Sequence, residues 1–226
     1  MQTFDSFVEK YDKWFETRQG RYVAQYEKEL VLKLAQPKKG EKILDVGIGT
    51  GYFAADYLQY QVDITGIDIA EKMLEVAKAR GIEKVSVGDA VSLDFPDETF
   101  DLVMSITALE FISEPEKAIS EMVRVCKKDG RVVVGTLGSG SWWAFRRSRA
   151  ARRNPDSIFR EARFYSFCEM KKMAEKFGSN AVVKGAIFAP PFDNAFCIFI
   201  GRMIERICQA LVPFWGAFLI FRIDKE

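Results

Sequence analysis

The chain has 226 residues, 48% of them hydrophobic, and a formal net charge of +1. That is enough length for one sizeable core, and too balanced a charge for a global attraction to nucleic acid or to a membrane. The four cysteines, Cys126, Cys168, Cys197 and Cys208, show no C-x-x-C spacing and histidine is absent, so no metal site is expected and the thiols read as reduced, in a cytoplasmic protein.

The N-terminus carries acids rather than a basic region before an apolar run, which argues against a signal peptide. Residues 4–15 place Phe4, Phe7, Val8, Tyr11, Trp14 and Phe15 at helical spacing, and a second helix is predicted over 22–34 after a break at Gly20. Together, residues 1–36 are expected to form a helical lid packed on the rest of one domain spanning 1–226. Beyond Gly40, apolar strand runs at 42–46, 62–67, 84–87, 102–105 and 131–136 alternate with helical patterns at 52–60, 70–80 and 115–126. Strand and helix in alternation predict an α/β fold, a parallel sheet with helices on both faces, whose ligands belong at the carboxyl ends of the strands.

The stretch Ile43 to Gly51 reads as a strand running into a glycine turn and then a helix. Glycines there let the backbone approach a ligand closely, and free amides at a helix start face polar groups. The spacing Gly47, Gly49, Gly51 does not match G-x-G-x-x-G. Asp45 at the strand end would repel a pyrophosphate and attract a ligand bearing an ammonium or hydroxyls. A purely structural turn is the competing reading.

The pattern Asp45-x-Gly47-x-Gly49-x-Gly51 resembles the first motif of class I S-adenosylmethionine-dependent methyltransferases. Asp68, in Ile64-Thr65-Gly66-Ile67-Asp68, ends the second strand, where the resemblance implies that a carboxylate accepts the ribose hydroxyls; an N-cap for the helix near Ala70 is compatible with that role. Asp89, or its neighbour Ala90, ends the third strand and is implied to face the adenine amino group. Ile69, Met73 and Ile106 complete the implied contacts. Tyr11, Trp14 and Tyr22 are candidates to cover the methionine part, or simply to pack. The run Phe100 to Phe111 resembles the type 11 group, which includes quinone and sterol methyltransferases; many of those carry histidine soon after the fourth strand, where this chain has Glu110. The resemblance implies a Rossmann-like, seven-stranded, mostly parallel sheet, with strands at 181–188 and 215–223, the last antiparallel.

Two segments, 138–166 and 189–213, are then insertions at the active-site rim. The first carries seven arginines (Arg146, Arg147, Arg149, Arg152, Arg153, Arg160 and Arg163) against Asp156 and Glu161, with Trp142, Trp143 and Phe145 ahead of them. A solvated helix face, an anionic-substrate or headgroup surface and a nucleic-acid contact compete here; no nucleic acid is expected, because the basic field is one short run. Peripheral membrane contact through Trp142 to Arg153 suits rings followed by arginines. In the second insertion, a helix is predicted over 199–211, and Phe196, Ile198, Phe199 and Ile200 are more apolar residues than one docking face needs. Some are expected to line a substrate cavity with the N-terminal helices.

The function implied is methyl transfer from S-adenosylmethionine, leaving S-adenosylhomocysteine, to a small-molecule acceptor. The alternatives are a lipid or quinone acceptor at a membrane surface, and a non-catalytic cofactor-binding partner. Without histidine, a proton acceptor is Glu110, a tyrosine such as Tyr11 or Tyr165, or water. A thiol or amine acceptor that loses its proton before attack needs none.

Overall fold

A seven-stranded sheet of order β3-β2-β1-β4-β5-β7-β6 forms the centre of the computed structural model, which describes residues 8–155 and 157–226. Phe4, Phe7 and Asp156 lie outside the described residues. The strands are β1 (Lys42–Val46), β2 (Asp63–Asp68), β3 (Lys84–Val87), β4 (Phe100–Ile106), β5 (Cys126–Leu137), β6 (Val182–Ala186) and β7 (Phe218–Asp224). β1 pairs in parallel with β2 (Ile43 opposite Ile64) and with β4 (Leu44 opposite Val103), whereas β7 is antiparallel to both β5 and β6. Strand order therefore reverses between β1 and β4, and the crevice such a reversal opens lies beyond their carboxyl ends.

Alternation along the buried strands splits the core in two. Ile43, Leu102, Met104, Val133, Phe218 and Ile220 face one layer, where the N-terminal helices pack. Leu44, Val46, Val103, Val132, Val134 and Phe221 face the other. Strands buried on both faces read as near-continuous apolar runs, which is why 42–46 and 131–136 were legible as parallel strands.

The helices are α1 (Val8–Glu16), α2 (Arg18–Ala35), α3 (Glu71–Ala79), α4 (Pro115–Val125), α5 (Trp142–Arg153), α6 (Phe167–Phe177) and α7 (Ala195–Leu211). Their starts are written locally. The Thr17 hydroxyl accepts from the Gly20 amide, Ser141 caps α5 and Asn194 caps α7, while Ser166 and Glu169 form a capping box at α6. No helix of the described residues is long and apolar enough to cross a membrane.

Three local expectations are corrected. The break between the first two helices falls at Thr17, and Gly20 lies inside α2, where a Cβ would run into the Trp14 carbonyl; glycine lets α1 turn tightly onto α2. The segment after the glycine turn is a 3₁₀ helix, Ala54–Tyr60, closed by the left-handed residues Gly51 and Gln61, a span that favours tight i→i+3 bonding. Phe196 and Phe199 line no cavity: both point outward from α7, with only Ile198 of that group joining the core.

Candidate active site

The carboxyl ends of β1, β2 and β4 border a cleft of about 320 Å³. Gly47 and Gly49 both have positive φ, +75° and +54°. An added Cβ at Gly47 would strike Ala108, whereas at Gly49 nothing in the protein lies within 4 Å, so that glycine keeps open the space a ligand would cross. Asp68 is held by two backbone amides, Gly49 N–H to Oδ2 at 2.8 Å and Ala70 N–H to Oδ1 at 2.9 Å, which fix its carboxylate between the glycine turn and the start of α3.

Asp45 lies at the cleft floor, 3% exposed. Burial, and then the neighbouring Asp68, push its pKa up to about 8. A buried carboxylate in that condition is stabilised by a cation. The cleft thus fits a ligand with an ammonium at one end and vicinal hydroxyls near Asp68, as S-adenosylmethionine has.

α1 closes over this cleft through a polar latch. Arg80 Nη1 donates to the Thr50 carbonyl and hydroxyl, both at 2.6 Å, while its Nη2 reaches Asp12 at 2.7 Å. Thr50 Oγ1 donates to Asp12 at 3.0 Å. The Phe15 ring stacks on Tyr52 at 3.9 Å, adding an apolar seal.

A second cavity, of about 450 Å³, adjoins the first. Tyr11, Thr107, Phe111 and Ile158 line both. Thr107 has φ +54°, uncommon for a β-branched residue, and is hydrogen-bonded to the Tyr11 hydroxyl. Strained backbone of this kind concentrates at functional sites. The chamber's walls are aromatic (Trp14, Phe111, Trp143, Phe159), and Trp143 is fixed by its indole N–H to the Ala189 carbonyl at 2.9 Å.

Two buried carboxylates face this chamber. Burial raises the Glu27 pKa to about 8, against Arg147, with Glu110 reinforcing the rise. Burial raises Glu110 to about 7, opposed by hydrogen bonds from its own backbone and from the Thr136 hydroxyl, at 2.9 Å, and by Arg147. Arg147, half-buried, lies over the rings of Trp143 and Phe159 at 5.1 and 5.3 Å. Burial, followed by Glu27, Glu110 and Asp12 and against the Thr107 hydrogen bond, holds the Tyr11 hydroxyl far above its ordinary pKa. The Tyr11 hydroxyl thus keeps its proton near neutral pH, which weighs against its candidacy as a base.

Of the residues predicted from sequence, Asp45, Gly47, Gly49, Asp68, Ile69, Met73, Asp89, Ala90, Ile106 and Tyr11 come together around the cleft. Gly51 does not line it: a Cβ there would meet Ile82 and Ala77, so this glycine serves packing on α3. Trp14 lines the chamber instead. Tyr22 is in neither cavity; it is buried, its hydroxyl donating to Glu205 Oε2 at 2.8 Å. Sequence reasoning missed Glu27 and Thr107, and named Arg147 only as one of seven arginines in an anionic-substrate, headgroup or solvated face. Arg147 sat in a run of arginines and Glu27 on an amphipathic helix, and neither pattern says which side chain turns inward. Among the described residues, no group of three or more His, Cys, Asp or Glu is placed to hold a metal.

Residues 44–134 match the family model described as a methyltransferase domain. An uncharacterized protein of Methanocaldococcus jannaschii is 33% identical over 178 residues, covering 79% of this chain and 81% of that protein. Phosphatidylethanolamine N-methyltransferase of Cereibacter sphaeroides is 43% identical over 103 residues, which cover 42% of this chain and 50% of that enzyme, so the match spans half of that relative's length. Among solved structures, a methyltransferase from Thermotoga maritima, described as a possible histamine N-methyltransferase, superimposes with a TM-score of 0.77 at 26% identity, over 100% of this chain and 99% of that one.

Proposed function

The chain belongs to the class I S-adenosylmethionine-dependent methyltransferases of the type 11 group, and from that premise we propose that it methylates an amine nitrogen of a small, partly apolar acceptor held in the chamber. The observation that carries this reading is the pair of buried carboxylates, Glu27 and Glu110, in an aromatic-walled cavity continuous with the cofactor cleft. Carboxylates attract an ammonium by charge, and aromatic faces attract it through their quadrupoles. The names of the Cereibacter sphaeroides and Thermotoga maritima relatives refer to nitrogen acceptors, which supports the same chemistry.

In this reading Asp45 takes the cofactor's ammonium, Asp68 its ribose hydroxyls, and Asp89 with Ala90 the adenine edge, while Ile69, Met73 and Ile106 supply apolar contact. When bound, S-adenosylmethionine supplies a methyl group on a sulfonium with a neutral leaving group. The protein's part is to orient the acceptor and to free its lone pair. Glu27 and Glu110 draw the ammonium inward, the aromatic walls exclude water, and Glu110, with a pKa of about 7, accepts the proton the nitrogen must lose. Tyr11 and Thr107, at the junction, fix the approach between the cavities.

A second reading, a lipid acceptor presented at a membrane surface, is favoured by Trp142 and Phe145, each 70% exposed on the helix that lines the chamber. The test is incubation with S-adenosylmethionine carrying a deuterated methyl group and separate panels of amines, thiols, phenols and lipid vesicles. Mass spectrometry is expected to find the label on nitrogen of a soluble amine. Label found only on oxygen, carbon or sulfur acceptors would contradict the proposal, and label found only on vesicle lipid would favour the second reading.

A further inference from the structure

We infer that the outer face of α7, with the first turn of α5, docks the protein on an anionic lipid surface. This goes beyond the second reading above, since it adds the face of α7 to that of α5 and holds whether or not the acceptor is a lipid. Phe196, Phe199, Met203, Ile207 and Leu211 recur at spacings of three and four, one stripe of a helix, and are 59 to 72% exposed. The opposite face is pinned. Glu205 is fully buried and accepts from the Tyr22 hydroxyl at 2.8 Å, from the Ile187 amide at 2.6 Å and from the Phe188 amide at 3.2 Å. Gly201 packs against Ala189 and Tyr22, where a side chain would collide. The helix therefore cannot roll its apolar stripe inward without stripping a buried carboxylate of its donors, which costs far more than it recovers.

The apolar surface continues past the helix end. Phe214 and Trp215 are exposed on the turn Pro213–Trp215, and Gly140, next to the cap of α5, lies against that turn, which sets the start of α5 beside Trp215. An exposed apolar stripe rimmed by charged residues marks an interaction surface.

Charge selects the occupant. Beside the stripe stand Arg202 and Arg206, and α5 contributes Arg146, Arg149, Arg152 and Arg153 with no acid in the helix. Acids on α7 and its lead-in are confined to Asp193 and the buried Glu205. A second copy pairing through this face would bring like charges together. Anionic headgroups are complementary to them, and tryptophan at the edge of an apolar face suits the headgroup layer.

The experiment is sedimentation of the full chain with vesicles of phosphatidylcholine alone or mixed with phosphatidylglycerol, alongside analytical ultracentrifugation without lipid. Binding to the anionic vesicles is expected, weakening as salt is raised. Replacing Arg149, Arg152 and Arg153 together by Gln lowers partitioning by about a hundredfold, and Phe199→Glu with Met203→Glu lowers it by about tenfold or more. Both variants keep the melting temperature and cofactor affinity of the parent, because these residues line neither cavity. No vesicle binding at low salt, equal binding by the Phe199→Glu, Met203→Glu protein, or equal binding to neutral vesicles would each overturn the inference. So would a dimer, without lipid binding, that this double variant dissolves. Activity on a soluble amine is read separately, so failure of docking and failure of the proposed methyl transfer are distinguishable.

Discussion

The cofactor cleft and the acceptor chamber share four lining residues yet are made in different ways. The cleft is built by backbone: positive-φ glycines after β1, and acids that end β1, β2 and β3, all within 45 residues of sequence from Asp45 to Asp89. The chamber is built by side chains from distant elements, Glu27 on α2, Glu110 after β4 and Arg147 on α5, brought together only by packing. A site made of backbone geometry keeps its ligand while its surroundings vary. A site made of converging side chains can change its ligand by a few substitutions, and specificity is expected to reside there.

The largest effect that would sharpen this contrast is at Glu110. Glu110→Gln is expected to lower methyl transfer about 10² to 10⁴-fold, the range for a positioned proton acceptor, and to leave the cofactor dissociation constant unchanged by calorimetry. Loss of cofactor binding in a folded variant would break the division between the two cavities. Next is Asp68→Ala, which removes a hydrogen-bonded carboxylate and should weaken cofactor binding by roughly 1 to 3 kcal/mol, while the labelled-methyl product stays on the same acceptor.

The third expectation concerns stability, in which both cavities take part. Asp45, Glu27 and Glu110 have folded-state pKa values raised from 3.8, 4.5 and 4.5 to about 8, 8 and 7. Between these limits the unfolded chain binds fewer protons than the folded protein, so stability present at low pH is lost as pH rises through the window. The ligand-free protein should melt several degrees higher at pH 5.5 than at pH 8.5, on the order expected for a few kcal/mol in a chain of this size. S-adenosylmethionine, through its ammonium at Asp45, should narrow that gap, and Glu27→Gln should narrow it too. Calorimetric melting curves at the two pH values check the sign. The smallest effect is Arg80→Ala. This variant opens the latch over α1 and should raise the cofactor off-rate by a few-fold, as for a partly exposed ion pair of up to about 1 kcal/mol, without altering the acceptor preference.

The cleft was legible because its chemistry is written at strand ends. Asp45, Asp68 and Asp89 each close an apolar run, and the glycines stand where a Cβ would intrude. Gly51 was assigned to the ligand from the same pattern and instead packs on α3, since spacing alone does not separate a glycine facing a ligand from one facing a helix. The chamber was much less legible. Aromatic residues at helical spacing suggested Tyr22 for the cofactor, but its orientation is set by Glu205, 183 positions away. The surplus of apolar residues on α7 read as cavity lining because an apolar stripe turned to solvent is contrary to ordinary folding. Glu205, a lone acid in an apolar helix, was the signal that the polar-looking face points inward.

The central claim, that the chamber delivers a deprotonated amine to the cofactor's methyl group through Glu110, is tested most directly by the pH dependence of a single turnover. With enzyme in excess and both ligands saturating, the parent protein should show a rate that rises with pH to a plateau with a midpoint near 7, as Glu110 ionises. In Glu110→Gln that limb should disappear. An identical pH profile in the two proteins would contradict the account.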